Sequence, residues 1–153
     1  SMYGAGDRRK GDDSMLGAVL AGRVRFAPPG GSNVASVGDV CDGMLAALAR
    51  GRTGERYILG GENLTGLELL ARIAAVGGGK APRRVVPQRA LRLAIRALRL
   101  KERWLGSRPP LTSQVLQLAL CYQWFSSQKA ADELGWRAGS VDRGIAEACA
   151  AGN

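Results

Sequence analysis

Between Asn33 and Leu70 the chain fits four alternating elements into fewer than forty residues. Val34-Ala35-Ser36-Val37 is short, apolar and extended in character. Asp39 then stands where a helix N-cap belongs, its carboxylate facing the free N–H groups of a first turn. Val40, Met44, Leu45, Ala47 and Leu48 recur at helical spacing, and Gly51 stops that helix. Arg56-Tyr57-Ile58-Leu59 reads as the best strand of the chain and ends at Gly60-Gly61. Thr65 with Glu68 three residues on forms a capping box. Leu67, Leu70, Ile73, Ala74 and Val76 follow as an apolar helical face up to Gly77-Gly78-Gly79. Strand and helix alternating at this pace predict an α/β fold with short, mostly parallel strands.

The flanks extend the pattern. Tyr3-Gly4-Ala5-Gly6-Asp7 is a glycine-rich bend, followed by a polar loop over Arg8 to Gly11. Asp12, Asp13 or Ser14 can cap a helix running to about Ala21. Val24-Arg25-Phe26 is a strand candidate, cut by the turn Ala27-Pro28-Pro29-Gly30-Gly31, because proline fixes φ and glycine permits positive φ. Arg83 to Val86 is a further strand, closed by Pro87. Gln88 to about Leu105 is a long helix, with Leu91, Ala94, Ile95, Leu98 and Leu105 on one side. After a loop over Ser107 to Pro110, Leu111 to Tyr122 reads as a helix capped by Thr112 or Ser113. Gln123 to Ser126 is extended, Ser127 to Leu134 is a short helix, and Ser140-Val141-Asp142 caps a last helix to about Ala150. The expectation is helix-rich α/β: six or seven helices and few short strands. One domain is expected over 12–153, behind a leading loop over 1–11 whose Ser1-Met2 has the character of a cloning remnant.

Composition removes several chemistries. The chain has 153 residues and no histidine, which excludes His-based triads, His general bases and His metal ligands. Three cysteines, Cys41, Cys121 and Cys149, lie far apart with no CxxC, so neither a disulfide framework nor a zinc site is expected, and no metal is assigned. A reduced, cytoplasmic setting follows as the expectation. No apolar run reaches the roughly 18–20 residues of a membrane span. The net charge of +9 is concentrated in one place: Lys80 to Arg108 holds ten basic residues and one acid, Glu102, while the rest carries twelve of each sign. Arg89, Arg92, Arg96, Arg99 and Arg103 recur at steps of three and four, a single stripe on a 3.6-residue helix. That stripe admits contact with phosphate, a basic amphipathic helix on an anionic membrane, or a solvated face over inward-pointing leucines. Nucleic acid is disfavoured, because only Trp104 is near to stack a base and no DNA- or RNA-binding motif is present. The tryptophans Trp104, Trp124 and Trp136 are expected to close the core.

Four segments carry a resemblance, in order. They are Tyr3-Gly4-Ala5-Gly6-Asp7; Asn33 to Val40 (NVASVGDV); Gly54 to Thr65 (GERYILGGENLT); and Phe125 to Ala130 with Glu133-Leu134-Gly135-Trp136. Together they resemble the C-terminal part of an extended short-chain dehydrogenase/reductase of the NAD-dependent epimerase/dehydratase type. The nearest subgroups are the dihydroflavonol-reductase-like and hopanoid-associated sugar-epimerase-like proteins. Ser36 and Gly38 depart from the family's usual His and Asp. The resemblance implies the C-terminal portion of a Rossmann-type enzyme, with Asn33, Ser36 and Asp39 at the substrate and Tyr3, Gly4, Gly6 and Asp7 near the cofactor. It implies NAD or NADP in the parent enzyme and a small-molecule or sugar-nucleotide substrate.

The family's GxxGxxG turn, which needs bare backbone N–H groups at a pyrophosphate, does not occur in this sequence. Neither does its Tyr-x-x-x-Lys pair: Asp7, Gly61 and Ser126 stand four residues after Tyr3, Tyr57 and Tyr122. No catalytic residue and no cofactor are therefore assigned to this chain. The expected function is the substrate-binding half of an NAD(P)-dependent reductase or epimerase, silent alone and covered by a missing N-terminal half or a second copy in a homodimer. The alternative is an interaction module that uses the basic helix on nucleic acid, acidic lipid or a protein, with peripheral membrane contact among its uses.

Overall fold

The structure, a computed structural model, describes residues 1–5, 14–105 and 112–150. One strand organises it. β3 (Gly31–Ser36) pairs in parallel with β1 (Met2–Tyr3), placing Tyr3 beside Ser36, and in parallel with β6 (Tyr122–Gln123), placing Gly31 beside Tyr122. It pairs antiparallel with β4 (Glu62–Thr65), from Gly31 opposite Thr65 to Val34 opposite Glu62. A separate parallel pair joins β2 (Phe26–Ala27) to β5 (Arg84–Val85). The helices are α1 (Met15–Leu20), α2 (Val37–Arg50), α3 (Gly66–Gly77), α4 (Gln88–Leu105), α5 (Ser113–Leu118), α6 (Gln128–Leu134) and α7 (Val141–Ala150). Seven helices and a few short strands among the described residues match the expected class.

β3 is buried from Asn33 to Ser36, and its apolar residues meet helices on the core side. Val34 packs with Val19 of α1, Leu70 and Ile73 of α3, and Val141 and Ile145 of α7. Full burial of each large side chain contributes roughly 1.5–3 kcal/mol. A second cluster, Ala130, Leu134 and Trp136, is packed against Ala47, Tyr57 and Leu59 and holds α6 to α2.

The best-specified helix is α3. Thr65 Oγ1 accepts the Glu68 N–H at 3.3 Å, and the Glu68 carboxylate accepts the Thr65 N–H at 2.8 Å. At the other end Gly78 has φ +76°, a left-handed conformation that glycine adopts without a Cβ clash.

Several expectations need correction. Arg56–Leu59 is no strand, and the strand of this region is Glu62–Thr65. Tyr57 and Leu59 pack onto the α2–α6 cluster, and the Gly60 backbone bonds the Ser127 hydroxyl in place of a neighbouring strand. Asp39 is not an N-cap: α2 starts two residues earlier, with Ser36 at its cap. Of the tryptophans only Trp136 is buried, while Trp104 and Trp124 are exposed. The helix after Thr112 ends at Leu118, because Tyr122-Gln123 joins β3. Gly6, Asp7, the Arg8–Gly11 loop, the candidate caps Asp12 and Asp13, the Leu105 side chain, the Ser107–Pro110 loop and Leu111 lie outside the described residues, as does the expected boundary near residue 11.

The capping box gives a stability prediction. Thr65→Ala should lower the unfolding free energy by about 1 kcal/mol in urea titrations. The Thr65 backbone N–H, and then its hydroxyl, hold the Glu68 carboxyl below its ordinary value of 4.5. Its folded value lies under its unfolded one, so this contribution is present above the unfolded value and is lost as pH falls through the folded one. Glu68→Gln should flatten the acid limb of stability against pH.

Candidate functional site

Of the residues singled out from the sequence, Tyr3, Gly4, Asn33, Ser36 and Asp39 lie on β3 and the chain around it. Asn33 is buried, and its side-chain amide works as a clasp. Its Oδ1 accepts the Gly61 N–H at 2.9 Å, and its Nδ2 donates to the Gly61 carbonyl at 3.1 Å and to Asn63 Oδ1 at 2.7 Å. Asn63 passes the connection on, accepting the Phe125 N–H at 3.2 Å and donating to the Phe125 carbonyl at 3.1 Å. The Ser127 hydroxyl closes the same wall, accepting the Gly60 N–H at 2.9 Å and donating to the Gly60 carbonyl at 2.8 Å. This wall borders an open, polar cleft of about 320 Å³, lined by Gly60, Gly61, Ser127, Gln128, Arg137 and Gly139.

Asp39 forms the far side of the arrangement. It is buried in the first turn of α2, where a carboxylate meets the positive end of the helix dipole. It accepts the Gly139 N–H at 3.0 Å and the Arg143 guanidinium, while its carbonyl accepts Trp136 Nε1–H at 2.9 Å. Ser36 is fully buried, and its hydroxyl has no hydrogen-bond partner among the described residues. Tyr3 lies beside it in the β1–β3 register. Gly4 is also buried, and a Cβ there would stand 2.8 Å from Val37 Cβ.

A second cleft of about 370 Å³ is more enclosed and mostly apolar. Tyr3, Met15, Pro28, Leu69, Leu118 and Cys121 line it. The Pro28–Gly31 turn makes this cleft possible by close backbone contact. The Gly66 N–H bonds the Gly30 carbonyl at 2.8 Å, and a Cβ on Gly31 would stand 2.7 Å from the Leu64 carbonyl. Sequence reasoning took Ala27–Gly31 for a turn and missed its role as a cleft wall. The signal was present in two adjacent glycines leading into a strand.

Ion pairs tie together the elements around the polar cleft, and Glu62 of one pair lines it. Arg72 joins Glu62 and Asp142, and the Glu62 carboxylate accepts the Val141 N–H, so α7 is tied to β4. Glu133 is held below the usual carboxylate range by the Tyr57 hydroxyl and by Arg52. The five arginines of α4 are all exposed, and none lines either cleft. Among the described residues no group of His, Cys, Asp and Glu is arranged to hold a metal. The arrangement can bind: one cleft offers backbone polar groups, the other apolar surface.

No protein-family model matches the chain. A Synechocystis protein named "Putative dihydroflavonol 4-reductase" is 32% identical over 125 residues, covering 77% of this chain and 36% of that protein. The crystal structure of gox2253 superposes with a TM-score of 0.80 at 29% identity, covering 99% of this chain and 46% of that one. PA4631, a nucleoside-diphosphate-sugar epimerase from Pseudomonas aeruginosa, gives a TM-score of 0.71 at 28% identity, covering 98% and 44%. The enzyme WbmF of Bordetella bronchiseptica, solved with NAD+, shares the fold at a TM-score of 0.56 and 20% identity, covering 89% and 34%. The chain thus spans less than half the length of the proteins it matches.

Two substitutions on β3 should separate its roles. Asn33→Ala strips the Gly61 N–H and the Asn63 amide of a partner, and should cost about 2–3 kcal/mol in urea unfolding. Ser36→Ala removes a buried hydroxyl with no partner among the described residues, and should leave stability unchanged or raise it by up to about 1 kcal/mol.

Proposed function

We propose that this chain, whose homologues are dihydroflavonol-reductase-type proteins and nucleoside-diphosphate-sugar epimerases of the extended short-chain dehydrogenase/reductase family, supplies the substrate-side portion of such an enzyme. One observation carries the reading: 99% of the chain superposes on 46% of gox2253, the C-terminal portion of the fold. The reaction we infer is hydride transfer between a nicotinamide and a carbonyl or sugar-nucleotide substrate. Its dinucleotide turn and Tyr–Lys acid/base pair would come from protein outside this sequence.

In this reading the apolar cleft beside Tyr3 receives the body of the substrate. Asn33 and Asp39 act as positioning residues, fixing the 60–63 and 139 backbones that wall the polar cleft. Ser36 sits at the junction with Tyr3, on the side that would approach the cofactor. Exposed Met44, Leu45 and Leu48 on α2 fit an apolar surface that the cofactor-binding half would cover.

Calorimetric titration of NADH and NADPH into this chain should show no binding at tens of micromolar, and stoichiometric binding would overturn the division of labour. A chimaera provides the positive test: this chain replaces the matching portion of the Pseudomonas aeruginosa epimerase. It should bind NADH and turn over a carbonyl compound or a sugar nucleotide. A folded, NADH-binding chimaera inactive on both classes would sink the proposal.

A further inference from the structure

The helix α4 has three faces. At 100° per residue, measured from Arg89, Leu98, Leu91, Glu102 and Ile95 lie at about 180–240°. Leu91 and Ile95 are buried there, and the Glu102 carboxylate accepts the Ser113 N–H at 2.8 Å and its hydroxyl at 2.7 Å. This is the seam that packs on α5. The arginines Arg99, Arg92, Arg103, Arg96 and Arg89 follow at about 280–360°. Beyond them, at about 20–80°, stand Leu100, Leu93, Trp104 and Ala97. Leu93 is 67% exposed, Leu100 60% and Trp104 79%. Lys101, also exposed, closes the far side at about 120°.

The exposed apolar ridge is therefore opposite the seam that joins α4 to its own domain, so it cannot be core of this domain. It is flanked by bases on both sides. The only acid of the helix points the other way, and none of the five arginines has an ion pair among the described residues. A protein partner would have to present an acid-rich surface. A second copy offers none in excess, since the chain outside Lys80–Arg108 carries twelve charges of each sign.

We propose that α4 lies flat on a bilayer containing anionic lipid. Leu93, Leu100 and Trp104 enter the headgroup–acyl boundary, and the arginines and Lys101 reach back to lipid phosphates. Long basic side chains keep apolar stems in contact with the surface and charged heads in the polar layer, and an indole suits the same depth. The helix is too polar to span: among the described residues, no helix is long and apolar enough to cross a membrane. The contact is peripheral, and it leaves both clefts uncovered.

The test is co-sedimentation of the whole chain with vesicles of phosphatidylcholine alone or with 30% phosphatidylglycerol. Binding should require the anionic lipid and weaken as salt rises. Arg92→Gln, Arg96→Gln and Arg99→Gln together should weaken it on the order of a hundredfold, since each base near such a surface contributes about a factor of five. The Lys versions of the same three positions should retain it. Leu93→Ser with Leu100→Ser and Trp104→Ser should also release the chain, because charge alone does not explain insertion. All these positions are exposed, so circular dichroism should report intact folding. Absence of binding, equal binding to neutral vesicles, or ridge variants that bind like the parent would overturn the proposal. Tighter binding to duplex DNA than to vesicles at matched salt would overturn it in favour of nucleic acid. A dimer in sedimentation that the ridge substitutions dissolve would overturn it in favour of a second copy.

Discussion

The clasp made by Asn33 is the constraint on which the rest of the arrangement depends. β3 has its ladder partners, but the chain that leads into β4 has none. Residues 56–59 run without strand pairing, and their approach must end with Glu62 opposite Val34. One amide sets that position by bonding both the N–H and the carbonyl of Gly61 and then Asn63. The backbones come so close that a Cβ on Gly61 would run into the Val34 carbonyl. Once Asn63 is fixed, Phe125 is fixed through it, and α6 follows with Ser127. A single buried polar side chain thus links strands that are distant in sequence. Burial makes each of its bonds costly to lose.

Local signals were legible where the physics is local. Thr65 and Glu68 satisfy each other's backbone within one turn, and the capping box was visible before any tertiary contact was known. The span of α4 could be read for the same reason, since its pattern repeats over five turns. Arg56–Leu59 was misread because strand character belongs to a pair of segments. Its apolar residues announce burial, and here Tyr57 and Leu59 are packed on the α2–α6 cluster instead of in a sheet, while Ile58 is exposed. Asp39 misled in a related way. An acid in a first turn looks like a cap, but helix α2 had room to begin at Val37, leaving the carboxylate for Gly139 and Arg143 one hundred residues on.

The candidate site was legible in part. Resemblance drew attention to Asn33, Ser36, Asp39 and Tyr3, and the structure gathers all four around β3. Their partners were not legible, because Gly61, Gly139 and Arg143 carry no local mark of their role. The apolar cleft was missed for a different reason. It is made from absence of side chains, at Gly30, Gly31 and Gly66, and from residues as far apart as Met15 and Leu118. A sequence shows glycine as a turn signal far more readily than as a place where two backbones touch.

The distribution of charge completes the picture. A chain with an excess of nine positive charges would gain from scattering them, since like charges repel within a Debye length. This one gathers them on α4 and its approach. Glu102 feels the charge of Arg99 but forms no ion pair with it. Its carboxylate is taken up by the first turn of α5, where Ser113 above all holds it below the usual carboxylate range. Those two bonds help to pin α4 to the domain, and the charges left on its outer surface are all basic. Five like charges on one stripe of a helix cost stability in water. The cost falls when a negative surface lies opposite. Among the described residues no carboxylate forms an ion pair with that face, and an external negative surface is what the proposed contact would supply.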